Sequence, residues 1–137
     1  MYLSGDDKAA LADFDEVVAL IPDFTSAYNE RAKVKIATQD YQGALDDFSE
    51  AIARDPYFID AYFNRGKLKN DNLADYQGAV DDFSKAIEYY PDYGDAFFMR
   101  SIAKRNLGDS SGSCDDQKTA ISLGYQPPPD LLDTNCS

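Results

Sequence analysis

The stretch Asp40–Pro56 reads DYQGALDDFSEAIARDP, and at Asp75–Pro91 the chain repeats it as DYQGAVDDFSKAIEYYP. Twelve of the seventeen positions are identical, thirty-five residues apart. In the first stretch Ala44, Phe48, Ala51 and Ile52 recur at i, i+4, i+7 and i+8, and Ala79, Phe83, Ala86 and Ile87 do so in the second. That spacing stacks the four side chains on one face of a helix. Ala10, Phe14, Val17 and Val18 hold the same places further upstream. The small residues let a second helix approach closely, and the phenylalanine fills the space beside them. Pro22, Pro56 and Pro91, spaced 34 and 35 residues apart, each end such a helix, because proline cannot continue its hydrogen-bond ladder.

Helices of similar length are expected between these. They read TSAYNERAKVKIAT from Thr25, IDAYFNRGKLKNDN from Ile59 and GDAFFMRSIAKRNL from Gly94. Each carries alanine followed by an aromatic residue (Ala27-Tyr28, Ala61-Tyr62, Ala96-Phe97), then a small residue four places on: Ala32, Gly66 and Ser101. The unit is helix, turn, helix, proline. It resembles the tetratricopeptide repeat, a 34-residue helical hairpin. Tyr28, Ala32, Tyr41, Ala44, Phe48, Ala51 and Pro56 match the signature places, as do Tyr62, Gly66, Tyr76, Ala79, Phe83, Ala86 and Pro91. The resemblance implies an all-α fold, a right-handed superhelical solenoid of about three and a half antiparallel hairpins.

The expected organisation is a repeat array over residues 1–123, divided as 1–24 (partial), 25–58, 59–93 and 94–123, followed by a tail over 124–137. The third copy has an extra residue in the turn DNLAD. The fourth departs further: Ser113 and Gln117 replace the small residue and the phenylalanine, and Gly124 replaces the proline. Residues 1–5 supply only the tail of a first helix. The chain thus starts out of phase, which suggests a fragment, a processed chain or an edge completed by a partner, a second copy included. In the tail Gly124 suits a helix C-cap and Pro127–Pro129 an extended run; no polar capping helix is expected.

Composition narrows the function. The net charge is −12 and the pI about 4.2, which argues against nucleic acid and anionic membrane surfaces as partners. No apolar run approaches the ~18 residues of a membrane span. Histidine is absent, removing the commonest general base and metal ligand. Neither a phosphate-cradling glycine loop, nor zinc spacing, nor a calcium loop is present, so no enzyme activity, cofactor or metal is expected. Cys114 and Cys136 are expected as free thiols ahead of a disulfide, in a reducing, cytoplasmic setting. Asn135-Cys136-Ser137 matches a glycosylation triplet by chance, and PDLL in the tail is read as plain tail.

Charges repeat as well. Asp13, Asp47, Asp82 and Asp116 each precede the phenylalanine place, and Arg31, Arg65 and Arg100 precede the small residue of the first helices. Lys35, Lys69 and Lys104 follow four later. A structural ladder of bidentate Arg–Asp pairs is expected. The pairing expected is between successive repeats, Asp13–Arg31, Asp47–Arg65 and Asp82–Arg100; the rival pairs within repeats and strands Asp13. The first helices carry net +2, +1 and +2 against an acidic whole.

In the family, first helices line a concave groove. The resemblance therefore implies that Asn29, Glu30, Lys33, Phe63, Asn64, Lys67, Asn70, Phe98, Met99, Ile102 and Arg105 face it, offering amides, cations and apolar anchors to a peptide. One subclass grips the C-terminal carboxylate of chaperones with Lys, Asn, Asn, Lys and Arg. The matching places here hold Asn29, Lys33, Asn64, Asp95 and Met99, and Asp95 would repel a carboxylate. The expected function is an adaptor or scaffold binding a protein segment on the concave face. The alternative is an assembly subunit held by its ends and convex back.

Overall fold

The structure is a computed structural model and describes residues 5–136. The expected helix tail at residues 1–5 therefore lies, but for Gly5, outside the described residues, as does Ser137 of the glycosylation triplet. Seven helices and no strand are found among the described residues: α1 (Gly5–Leu20), α2 (Thr25–Ala37), α3 (Tyr41–Arg54), α4 (Ile59–Asp71), α5 (Tyr76–Tyr89), α6 (Gly94–Asn106) and α7 (Ser110–Ser122). α2/α3, α4/α5 and α6/α7 are the tightly packed hairpins, and α1 stands before them against α2. None of the helices is long and apolar enough to cross a membrane.

Each hairpin begins its second helix in the same way. Asp40, Asp75 and Asp109 are N-caps whose carboxylates accept from the backbone N–H of Gly43, Gly78 and Gly112 at 3.0, 3.0 and 2.9 Å, satisfying a donor that the helix cannot. A Cβ on any of these glycines would collide with the capping carboxylate. The Asp-x-x-Gly of the repeated stretch is therefore one capping device written three times.

Packing joins hairpins through alternating large and small residues. Phe48 of α3 lies in a cluster with Ala32 of α2, Ala44 of α3 and Leu68 of α4. Phe83 of α5 does the same with Ala79 of α5 and Ala103 of α6. Both phenylalanines are fully buried, each contributing roughly 1.5–3 kcal/mol. α2, α4 and α6 touch one another in sequence, whereas α3, α5 and α7 do not. The array therefore curves with the first helices inside.

The last hairpin ends differently. Gly124 (φ +95°) reverses the chain after α7, and Tyr125 N–H donates to Ala120 O at 3.0 Å, a glycine helix stop as expected. Tyr125 stacks on Phe98 with ring centroids 4.9 Å apart. Leu131 and Leu132 N–H both donate to Pro128 O, closing a turn. Gln117, at the phenylalanine place, then holds the returning chain: its Nε2 donates to Asp133 O at 3.0 Å and its Oε1 accepts from Asp133 N–H at 2.9 Å. This return brings Cys136 beside Cys114, with Cα atoms 5.3 Å apart, and the two form a disulfide. The expectation of free thiols is corrected here, because the hold on Asp133 supplies a juxtaposition that cysteine spacing alone does not reveal.

Two substitutions test this packing with opposite signs. A Cβ at Gly66 would lie 2.8 Å from Cε1 of the buried Phe83. Gly66→Ala is expected to destabilise by about 1–3 kcal/mol, although Ala at an open helical site stabilises. Ser113 is fully buried with its Oγ unbonded among the described residues, where Ala44 and Ala79 stand in the other hairpins. Ser113→Ala should stabilise by about 1 kcal/mol. Urea unfolding measures both.

Candidate functional site

The repeating charges form rungs inside the hairpins. Arg31 Nε and Nη2 donate to the two carboxylate oxygens of Asp47 at 2.8 and 2.7 Å. Arg65 holds Asp82 and Arg100 holds Asp116 in the same way, every bond 2.8 Å. Lys35, Lys69 and Lys104 reach the same carboxylates at 3.0, 3.1 and 2.9 Å. The third guanidinium nitrogen, Nη1, reaches the preceding second helix: Asp15 for Arg31, Ser49 for Arg65 and Ser84 for Arg100. The bond to Asp47 raises the pKa of the Arg31 guanidinium further above its ordinary value.

The expected inter-repeat pairing is therefore corrected: the pairs lie within repeats, with Asp116 completing the set. Antiparallel helices of one hairpin bring the residue before the small place opposite the residue before the phenylalanine. Asp13 belongs to a second helix without a first helix among the described residues, and it is exposed.

The rungs occupy six of the nine cations of α2, α4 and α6. Lys33, Lys67 and Arg105 take no part in the rungs. Lys33 and Lys67 are exposed, and they border a depression of about 270 Å³ between α2 and α4. Ile36 and Leu68 form its apolar floor, and Asn64, Asp71 and Asn72 complete its wall. Asn64 Nδ2 donates to Oδ1 of the buried Asn29 at 3.2 Å. Asn106 makes the corresponding bond to Asn70 at 3.1 Å, so amides join adjacent first helices along the inner face. Lys33 also pairs with Glu30 at 3.2 Å.

Of the two expected aromatic anchors, Phe98 is corrected. Phe98 is fully buried under Tyr125 and offers no surface to a ligand in this state. Phe63 is half-buried, packed on Phe83 and on Tyr93. Tyr93 lies between Phe63 and Tyr90; burial first, then Asp60 and Asp95, push its pKa up to about 12. Met99 and Ile102 are half-buried. Arg105 is turned to the tail, donating from Nη1 to Leu131 O at 3.3 Å. Sequence reasoning missed Gln117 and Tyr125 as organisers of this end. The signal for Gln117 was its replacement of the phenylalanine. Cys114, Cys136 and Asp133 bring three ligand-type atoms within 4.8 Å of one another, but the disulfide leaves no thiolate to ligate a metal.

Residues 59–93 match the family model of the tetratricopeptide repeat. No curated protein matches the chain in sequence. Among solved structures, a crystal structure of MamA superposes with a TM-score of 0.82 at 17% identity, covering 90% of this chain and 77% of that one. The Arabidopsis OM64 TPR domain superposes at 0.71 with 21% identity, covering 75% and 84%. The first TPR of Spaghetti (RPAP3), bound to the HSP90 peptide SRMEEVD, superposes at 0.70 with 20% identity, covering 73% and 79%. The fold is that of a tetratricopeptide-repeat array.

The rungs predict a steep cost for removing one partner. Asp82 is 3% exposed, and Asp82→Ala leaves Arg65 and Lys69 without their shared carboxylate. The expected loss is about 3 kcal/mol in urea unfolding, against about 0.5 kcal/mol for Asp81→Ala on the exposed face.

Proposed function

We propose that the chain is a non-catalytic protein-interaction module whose inner face holds an extended segment of a protein partner. The observation that carries this reading is the depression between α2 and α4. Two exposed lysines left over from the rungs flank an apolar floor and a wall of Asn64, Asp71 and Asn72 there. Amides and cations serve the backbone and side-chain carboxylates of an extended chain, and the floor serves its apolar side chains. The likeness to a repeat domain solved with a bound peptide supports the class of partner. It does not extend to a terminal-carboxylate clamp, because Asp95 and Met99 stand where that clamp has cations.

A second reading rests on the other end of the array. No residue of α1 is buried, and Leu20, Ile21 and Phe24 are 72, 53 and 50% exposed. These residues suit an assembly contact, and Leu20→Ser with Phe24→Ser would abolish it while leaving the groove intact.

Affinity capture with the immobilised chain tests the groove. Lys33→Glu with Lys67→Glu is expected to lower capture of the bound partners at least ~tenfold, with stability within about 0.5 kcal/mol of the parent. Equal capture by parent and variant would overturn the reading, whatever the α1 variants do.

A further inference from the structure

We propose that the C-terminal end of the array is a second peptide-binding site, filled here by the chain's own tail and released through the Cys114–Cys136 disulfide. It shares no residue with the depression between α2 and α4, so the two proposals fail separately.

The hold on the tail is a recognition of main chain. Gln117 is 3% exposed and spends both ends of its amide on the N–H and C=O of Asp133. A glutamine used in this way reads main chain, whatever side chain it bears. Phe98 supplies the apolar anchor and Tyr125 covers it.

The tail fits this seat incompletely. Arg105 Nε and Nη2 are buried and make no hydrogen bond among the described residues. Asp133 Oδ2 approaches Nε only to 3.9 Å, beyond hydrogen-bond range. These are the same two nitrogens that hold Asp47, Asp82 and Asp116 in the rungs. A segment that sets its carboxylate closer would engage both. Leu131 and Leu132 stay 38 and 37% exposed, so the apolar part of the seat is also incompletely used. The ligand class that suits the seat better is a peptide segment with an acidic side chain aimed at Arg105.

The disulfide joins residues 22 apart and holds this weak ligand in place. A dithiol reductant opens it in two steps. One reductant thiolate attacks Cys136 Sγ, and Cys114 leaves as a thiolate that takes up a proton. The second reductant thiol, as its thiolate, then displaces Cys136, which is protonated in turn. Two electrons pass to the cysteines, and the reductant departs as a cyclic disulfide.

The probe is a fluorescein-labelled peptide of residues 125–136 with Ser for Cys136, read by polarisation against the full chain. Binding to the dithiol-reduced chain and to the Cys136→Ser chain is expected at least ~tenfold tighter than to the oxidised chain, whose tail the disulfide locks into the seat at both ends. Gln117→Ala and, separately, Arg105→Gln in the Cys136→Ser chain should each weaken binding, with helical circular dichroism unchanged. Hydrogen exchange at the Asp133 amide should accelerate on reduction. Equal binding to oxidised and reduced chains, no binding to the reduced chain, or an Asp133 amide equally protected in both states would each overturn the proposal.

Discussion

A carboxylate cannot stay ionised between packed helices unless its charge is answered on the spot. Asp47, Asp82 and Asp116 are 4, 3 and 4% exposed, and each is answered by a two-pronged guanidinium and a lysine. The requirement shapes much else. It fixes the register of each hairpin, since a helix shifted by one turn would strand the acid. The free arm of each arginine then ties that hairpin to the helix before it. The array is thus stitched along its length by the same residues that hold each pair of helices together.

The helices were legible because their packing is written into single-residue spacings. A phenylalanine with small residues at i−4 and i+3 describes an interlock that needs no knowledge of the neighbour. The pairing of the rungs was not legible in the same way. Arg31 lies 18 residues after Asp13 and 16 before Asp47, and a periodic sequence offers both partners at nearly equal distance. The choice is made by the antiparallel geometry of the hairpin, a property of two helices together. The repeated Asp-x-x-Gly was visible as a motif, but its purpose needed the capping bond and the missing Cβ to be seen together.

The candidate site was half legible for a related reason. Phe63 and Phe98 hold the same phase and were expected to do the same work. Tyr93 at the start of α6 partly covers the first, and Tyr125 in the tail covers the second, so phase alone misjudges their exposure. Gln117 was conspicuous as a departure. Its partner is the main chain of Asp133, which carries no signature in sequence. The disulfide follows from that hold and shares its obscurity.

What remains on the inner face is set by what the rungs take away. Arg31 and Lys35 are four residues apart on one side of α2, turned to Asp47. Lys33, two residues from each, projects roughly 160–200° around the helix, as Lys67 does between Arg65 and Lys69. Alternate cations of one helix are therefore divided between stability and surface by geometry alone. A groove lysine can change without touching a rung, and a rung cannot change without loosening the wall on which the groove is built. That separation lets the residues between the rungs vary while the array stays the same.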